Sequence, residues 1–311
     1  MRRIALSVGD PNGIGPEIVL RTLDALQGER RLQATLFGPP EVLRCAAQAI
    51  GLERVLSQVD LRPAGKLAAA AAVPGQVNAE AGASAVASAT AAILACQAGE
   101  FDAVVAGPHH ETAIHQAGIP FTGYPSLVAR LCGQNEHSVF LLLVGGGLRI
   151  VHVTLHESVA TALKRITPAL IVAATQAGVR ACAMLGVEQP KVALFGINPH
   201  ASERGLFGPE DEERVVPAAL RLRELGIPVD GPAGADTLLA DRRHDLYVAM
   251  LHDQGHIPVK LLAPQAATAV SIGGKVLLAS TGHGSAMDIA GKGTARPDAL
   301  LRSLRLVAGI S

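Results

Sequence analysis

An α/β fold with a mostly parallel sheet is predicted for this chain by three observations. Short apolar runs of strand length alternate with longer helical patterns along the sequence. The first run leads through a glycine-rich turn, Gly9-Asp10-Pro11-Asn12-Gly13-Ile14-Gly15, straight into a helical stretch, as a β–α unit begins. Hydrophobic residues make up 49% of 311. That fills the core of one large or two moderate domains and is too much for a disordered chain.

Taken in order, the apolar runs at 3–8, 34–37, 102–106, 139–144, 148–153, 191–195, 246–251 and 276–279 are the expected strands. Helices are expected over 16–27, 40–50, 79–98, 125–131, 158–164, 168–185, 210–225 and 297–307. Pro16, Pro40, Pro125, Pro168 and Pro297 open helical stretches, where a fixed φ and a missing N–H do no harm. The alanine-rich 67–73, before Pro74-Gly75, reads as a loop or a poor helix. No internal repeat is visible. Gly, Pro and Thr interrupt the pattern at 118–124, so a first domain is expected over 1–120 plus 265–311 and a second over 121–264.

Charge is balanced, 27 basic against 27 acidic residues, without a local basic cluster. That argues against a nucleic-acid partner and against an anionic membrane surface. Aromatic residues are 3% of the chain and Trp is absent, so base-stacking platforms are not expected. No run approaches ~20 apolar residues without a polar break. Met1-Arg2-Arg3-Ile4 lacks the apolar run of a signal peptide. Cys45, Cys96, Cys132 and Cys182 form no CxxC pair and read as buried small residues of a reduced, cytoplasmic protein.

Single histidines stand at the ends of expected strands, in short polar runs: Thr154-Leu155-His156-Glu157, Asn198-Pro199-His200-Ala201 and Leu251-His252-Asp253-Gln254-Gly255. Strand ends of an α/β sheet converge on its functional edge. Three neutral imidazoles meeting there, with a further position open, make the donor set of a catalytic metal. His256 follows His252 by four residues but is set aside, because Pro258 and the preceding strand pattern argue against a helix there. His109, His110 and His115, beside Gly107-Pro108, read as a second polar lining or as a loop.

Gly13, Ile14 and Gly15 open a helix whose free N–H groups suit a phosphate. Ile18 stands where a GxGxxG fingerprint needs its third glycine, so a Rossmann site is not expected. A tight strand-to-helix turn would explain these glycines equally. The run His283-Gly284-Ser285-Ala286-Met287-Asp288-Ile289-Ala290-Gly291-Lys292-Gly293 is rich in small residues that let backbone approach a ligand. It reads as an adenosine clamp or as a structural loop.

Together, residues 9–17, 117–123, Asn198-Pro199-His200-Ala201, Gly234-Ala235-Asp236-Thr237, His252-Asp253-Gln254-Gly255 with Lys260, and 283–293 resemble the 4-hydroxythreonine-4-phosphate dehydrogenase family nearly end to end. The first and last blocks are also similar to those of isocitrate and isopropylmalate dehydrogenases. The resemblance implies a two-domain α/β/α fold of the isocitrate/isopropylmalate dehydrogenase type, with the active site in the interdomain cleft at a dimer interface. It implies NAD bound outside the Rossmann scheme, at Gly13, Ile14, Gly15, His283, Gly284, Ser285, Ala286 and Asp288. It places a divalent metal, with zinc the best match to imidazole, on His156, His200 and His252, ligands that need not come from one chain. Asp236 and Lys260 fall on the family's substrate-contacting pair and are the expected catalytic residues. Lys260 would move a proton or hold a carboxylate, and Asp236 would orient a ligand or the lysine.

The chain departs from that family in the substrate blocks. A Thr-Gly-Pro-x-(Asn/His)-Lys block reads Ala106-Gly107-Pro108-His109-His110-Glu111, and a Gly-His-Thr-Glu block reads Gly123-Tyr124-Pro125-Ser126. An Asn becomes Ser271, and a later Arg has no counterpart. A phosphate dianion without that Arg loses a bidentate partner worth roughly 1.5–3 kcal/mol. The runs at 108–115, 123–127 and 152–158 resemble instead the terephthalate dihydrodiol dehydrogenases within the family. This implies a homodimer that oxidises a small cis-dihydrodiol dicarboxylate with NAD and releases carbon dioxide, giving protocatechuate. His109, His110, Tyr124 and Ser271 are candidates for the altered substrate pocket, and Lys275 for replacing the missing Arg. The alternatives are a dehydrogenase of a phosphorylated four-carbon hydroxy acid such as 4-phosphohydroxythreonine, and a non-catalytic metal- or nucleotide-binding protein.

Overall fold

The computed structural model describes residues 1–135, 138–264 and 266–310, and the chain divides into two compact units, Met1–Glu136 with Gly274–Ser311, and His137–Gly273. Unit one opens with β1 (Arg2–Ser7), α1 (Gly15–Ala25), β2 (Leu32–Gly38), α2 (Pro40–Ile50), α3 (Glu53–Gln58), β3 (Asp60–Pro63), α4 (Ala79–Gln97), β4 (Ala103–Ala106), α5 (Glu111–Gln116) and α6 (Tyr124–Leu131). Unit two carries β5 (Phe140–Gly145), β6 (Leu148–His152), α7 (Val159–Arg165), α8 (Pro168–Met184), β7 (Val192–Phe195), α9 (Val216–Glu224), β8 (Val229–Ala233), α10 (Ala235–Asp241), β9 (Leu246–Ala249), α11 (His252–Leu262) and β10 (Thr268–Ile272). The chain returns to unit one with β11 (Leu278–Thr281) and α12 (Asp298–Ala308).

In unit one the strands run in the order β3-β2-β1-β4-β11 with parallel neighbours. Ile4, Leu6, Val104 and Val105 are buried, as strands covered on both faces require. Against them pack α4 and α6, through Ile93, Tyr124, Leu127 and Val128 beside Phe101 and Val104. That shared cluster carries unit one past residue 120 to α6. By length and composition, among the described residues, α4 is the one single helix apolar enough to cross a membrane, and more than half of its most apolar stretch is buried. The side chains of Asn78, Ser158 and Thr167 accept from backbone N–H groups at the starts of α4, α7 and α8, caps worth about 1 kcal/mol each.

Unit two departs from the expected parallel pattern. Its order is β10-β5-β6-β9-β7-β8, antiparallel across β10–β5 and β5–β6, and parallel from β6 through β9 and β7 to β8. The four parallel strands end on one edge, and the segments after them carry the histidines. The largest difference from the sequence reading is α11, a helix that contains Pro258. Its Val259 is buried with Leu143, Ile150 and Tyr247, and this packing outweighs the hydrogen bond that Pro258 cannot make. Cys45 is exposed, whereas Cys96, Cys132 and Cys182 are buried.

Candidate active site

Unit two brings His152, His156, His252 and His256 together at the carboxyl ends of β6 and β9. His152 ends β6 and is 1% exposed. His156 lies four residues on, in the loop before α7, and its ring centroid is 5.5 Å from that of His252. His252 and His256 are one turn apart on α11, stacked at 3.8 Å with planes 12° apart. His256 was set aside on the sequence because Pro258 was read as a helix breaker. The helix puts it beside His252 and makes Lys260 the next residue on that face.

Hydrogen bonds assign the tautomers. Nδ1 of His152 lies 3.3 Å from the Leu141 carbonyl oxygen, which can only accept, so Nδ1 carries the proton and Nε2 does not. Nδ1 of His256 is 3.0 Å from that Nε2 and therefore donates to it. The His252 carbonyl is a further acceptor for the His256 ring. Nδ1 of His252 is 2.7 Å from Oδ1 of Asp253 and donates to the carboxylate, so Nε2 is the nitrogen left for a ligand. A carboxylate behind an imidazole is the usual support of a metal-binding histidine. Burial is the main reason that the pKa of His152 falls to about 3 and that of His256 to about 4, so both rings are neutral at pH 7.

His200 does not join this cluster within the chain. It follows β7 in a tight turn, Pro199–Glu203, its φ is 53°, and its side chain is 70% exposed. Its Nδ1 lies 3.4 Å from Glu203 and its ring lies edge-on to Phe207. The turn is anchored from below by Asp211, fully buried, which accepts from the N–H groups of Ile197 and Asn198 and from the Ser202 hydroxyl. Among the described residues, no group of three or more His, Cys, Asp or Glu side chains is placed to hold a metal ion. His156, His200 and His252 are accordingly not grouped as a metal-binding set among the described residues. Asp236 begins α10 after β8 and is exposed. Lys260 is half-buried, which lowers its pKa. Ser271 is buried in β10, opposite Leu141.

In unit one, β1, β4 and β11 are adjacent, and the segments after them meet. The Ile14 N–H donates to the Ser285 carbonyl at 2.9 Å. A Cβ on Gly13 would stand 2.6 Å from Cβ of Ser285, so glycine is required there by the packing of one loop on the other. The N–H groups of Asn12 and Gly13 are spent on Asp10. The turn thus consumes two of the amides expected to meet a phosphate, those of Gly13 and Ile14. Among the described residues, the side-chain oxygens Asp10 Oδ2, Asn12 Oδ1 and Glu17 Oε2 are buried without a partner. Burial raises the pKa of Asp10. Of the other clamp residues, Gly284 and Asp288 are exposed, Ala286 has a φ of 42°, and His283 Nδ1 donates to the Gly284 carbonyl.

The altered blocks lie at the end of β4. Tyr124 is 5% exposed, and its hydroxyl donates to the Gly107 carbonyl at 2.9 Å. The His109 ring meets Phe121 at 4.8 Å and Tyr124 at 4.9 Å, both edge-to-face. Burial lowers the pKa of His109. His110 caps α5, its Nδ1 accepting from the Ala113 N–H. Glu111 opens that helix and is exposed. Lys275 is exposed, and its N–H donates to Gln134. The sequence signal for the missed pair was its spacing: His152 and His156 are four apart, as are His252 and His256.

The family model for the pyridoxal phosphate biosynthetic protein PdxA matches residues 30–307. Over 306 residues, 98% of this chain and 97% of the other, the sequence is 59% identical to 1,2-dihydroxy-3,5-cyclohexadiene-1,4-dicarboxylate dehydrogenase of Comamonas sp. A terephthalate 1,2-cis-dihydrodiol dehydrogenase from Burkholderia xenovorans LB400 matches with a TM-score of 0.77 and 46% identity, covering 99% of this chain and 98% of that one. A 4-hydroxythreonine-4-phosphate dehydrogenase from Burkholderia phymatum matches with a TM-score of 0.84 and 34% identity, covering 99% and 98%.

Proposed function

The chain belongs to the PdxA family, and from that membership we propose that it is an NAD-dependent, divalent-metal-dependent dehydrogenase that converts terephthalate dihydrodiol to protocatechuate and carbon dioxide. The observation that carries the substrate is the 59% identity, across 98% of the chain, to a protein named for that dicarboxylate diol. In the reaction a carbinol hydrogen leaves as hydride to NAD and the hydroxyl proton is released. The ketone formed stands beside the carbon that bears a carboxylate. The bond to that carboxylate then breaks, its electron pair completes the aromatic ring, and the released proton returns to the phenolate. Atoms and charge balance without another oxidant.

The donors of unit two fit a metal in part. His252 is held by Asp253 through Nδ1, which leaves Nε2 for an ion, and His156 is beside it. A bound divalent ion would supply positive charge to the diol oxygens, undiminished by neutral imidazoles. Zinc suits such ligands. Lys260, one turn beyond His256, would carry the hydroxyl proton, helped by burial that favours its neutral form. Asp236 would orient the diol or Lys260. The turn at Gly13 to Gly15 and the loop of His283 to Asp288 that meets it would hold NAD. His109 and Tyr124 would bound the ring, with Lys275 as a cation for the second carboxylate. Purified protein with NAD and the terephthalate diol is expected to form NADH and protocatechuate. NAD reduction with 4-phosphohydroxythreonine and not with the diol would reverse the assignment.

A homodimer completes this reading, because His200 would then reach the metal from a second copy. Its exposure supports that role, as do the apolar residues left in water around it and on α11: Leu206 (71% exposed), Phe207, Ile257 and Leu261 (77%). Mixed dimers test it. His200→Ala and His252→Ala are each expected to be inactive alone. Co-refolded in equal amounts they form hybrids with one intact centre, recovering about a quarter of wild-type activity. No recovery would show that both histidines serve from the same chain.

A further inference from the structure

We propose that His152 and His256 form a two-imidazole relay that fixes the orientation of His252, making His256 a positioning residue for the metal centre. The inference rests on the reading of His252 as a metal ligand and adds residues which that reading does not use. The relay begins at the backbone. The Leu141 carbonyl in β5 takes the Nδ1 proton of His152, which turns Nε2 of that ring, fully buried, toward α11. The only atom it can bind there is a donor, and His256 Nδ1 supplies one at 3.0 Å. The His256 ring is thereby held in one plane, and that plane lies flat on His252 at 3.8 Å and 12°. His252 is then confined on one face by His256 and at its Nδ1 edge by Asp253 at 2.7 Å.

The same geometry says why His256 is not itself a ligand beside His252. Nitrogen lone pairs lie in the ring plane, and two stacked rings with centroids 3.8 Å apart and planes 12° apart keep theirs in separate, nearly parallel planes. An ion ~2.1 Å from both nitrogens would sit far out of each plane. The stack has to stay for His256 to position His252, and it has to break for His256 to bind the ion. Gly255 adds an independent mark of design, since a Cβ there would stand 2.3 Å from Nε2 of His152. The helix carries a glycine where the relay passes closest to its backbone.

The test is metal binding to the full-length protein. Zinc affinity is measured by calorimetry on the stripped protein, and the visible spectrum is recorded with cobalt(II) in place of zinc. The variants are His256→Ala, His152→Leu, the double variant and His252→Ala, each checked for cooperative unfolding. His256→Ala is the variant best placed to fold, because alanine is the strongest helix former. Zinc affinity is expected to fall about 10- to 100-fold in His256→Ala and in His152→Leu. The cobalt spectrum is expected to shift in both, and the double variant to be no weaker than His256→Ala alone, as members of one relay require. Wild-type affinity and an unchanged spectrum in His256→Ala would overturn the relay, as would losses that add in the double variant. Undiminished binding in His252→Ala would instead overturn the ligand assignment beneath it.

Discussion

The turn at Gly13 and the helix start at Gly255 both bring a glycine against another segment, yet they serve different ends. In unit one the approach joins backbone to backbone: Gly13 meets Ser285, and the Ile14 N–H is spent on the Ser285 carbonyl. That contact explains Gly13, and the approach to the Val8 carbonyl oxygen explains Gly15, without a nucleotide. In unit two the approach admits a side chain, because Gly255 leaves room for the buried imidazole of His152. Histidines that are unremarkable singly become a connected set there, and neighbours assign the Nδ1 protons of His152, His252 and His256. A recognisable glycine pattern is therefore weak testimony about chemistry until its N–H groups are accounted for. A glycine between two histidines is stronger than it looks.

The most severe way to break this comparison is Gly255→Ala. Its Cβ would meet His152 Nε2 at 2.3 Å, and neither a helix backbone nor a fully buried ring can move aside freely. A loss of roughly 3 kcal/mol is expected in urea unfolding, at the upper end for overpacking. Adding His152→Ala should return part of that loss, because the clash and the ring disappear together. If the double variant is as unstable as the sum of the two, the glycine answers to the helix and not to the imidazole.

Much of the fold was legible because periodic apolar segments leave little choice. The helix expected at 79–98 is α4, Ala79–Gln97, and that at 168–185 is α8, Pro168–Met184. The edge strands β3 and β8 were missed, since Asp60–Pro63 and Val229–Ala233 are partly exposed and carry proline, as edges tolerate. The helix α11 was missed because Pro258 outweighed the pattern locally, whereas burial of Val259 and Gly255 decides the matter in three dimensions. At the site, His156 and His252 were legible as candidates and are adjacent. His152 was not, because a histidine that ends an apolar strand looks like a tolerated core residue until its partner is visible. That His200 stands away from the others follows from no local signal at all.

A gentler probe of unit one is Gly13→Ala. The new methyl would stand 2.6 Å from Cβ of Ser285, at the end of a loop with more freedom than a helix. The expected cost is about 1–3 kcal/mol, read by the same urea unfolding. Ser285→Gly in the same chain should recover only part of it, because the carbonyl oxygen of residue 285 stays 2.7 Å from the new methyl. Recovery of stability together with undisturbed NAD binding would place both residues in the packing of the loops and outside the contact with cofactor. Weakened binding in the stabilised double variant would restore these residues to the nucleotide site.

Acid distinguishes the two regions by sign, with the smallest expected effect. His152 is neutral in the fold, its pKa lowered mainly by burial to about 3, while in the unfolded chain it is near 6.5. Below pH 6.5 the unfolded state gains a proton that the folded state refuses, so this stabilisation is complete above 6.5 and is lost as pH falls toward the folded value. Between pH 8 and pH 6 the loss is about 1 kcal/mol, and His152→Leu should remove it from the pH dependence. Asp10 runs the other way. Burial raises its pKa, so the folded state holds a proton that the unfolded chain releases above about 3.9. Its contribution is complete below the unfolded value and is lost as pH rises through the folded one. Asp10→Asn keeps the acceptor for the Asn12 N–H and removes the titration, so its gain over wild type should grow from pH 4 to pH 7. A gain that is flat with pH would mean that Asp10 is charged in the fold and that an unseen donor meets its second oxygen.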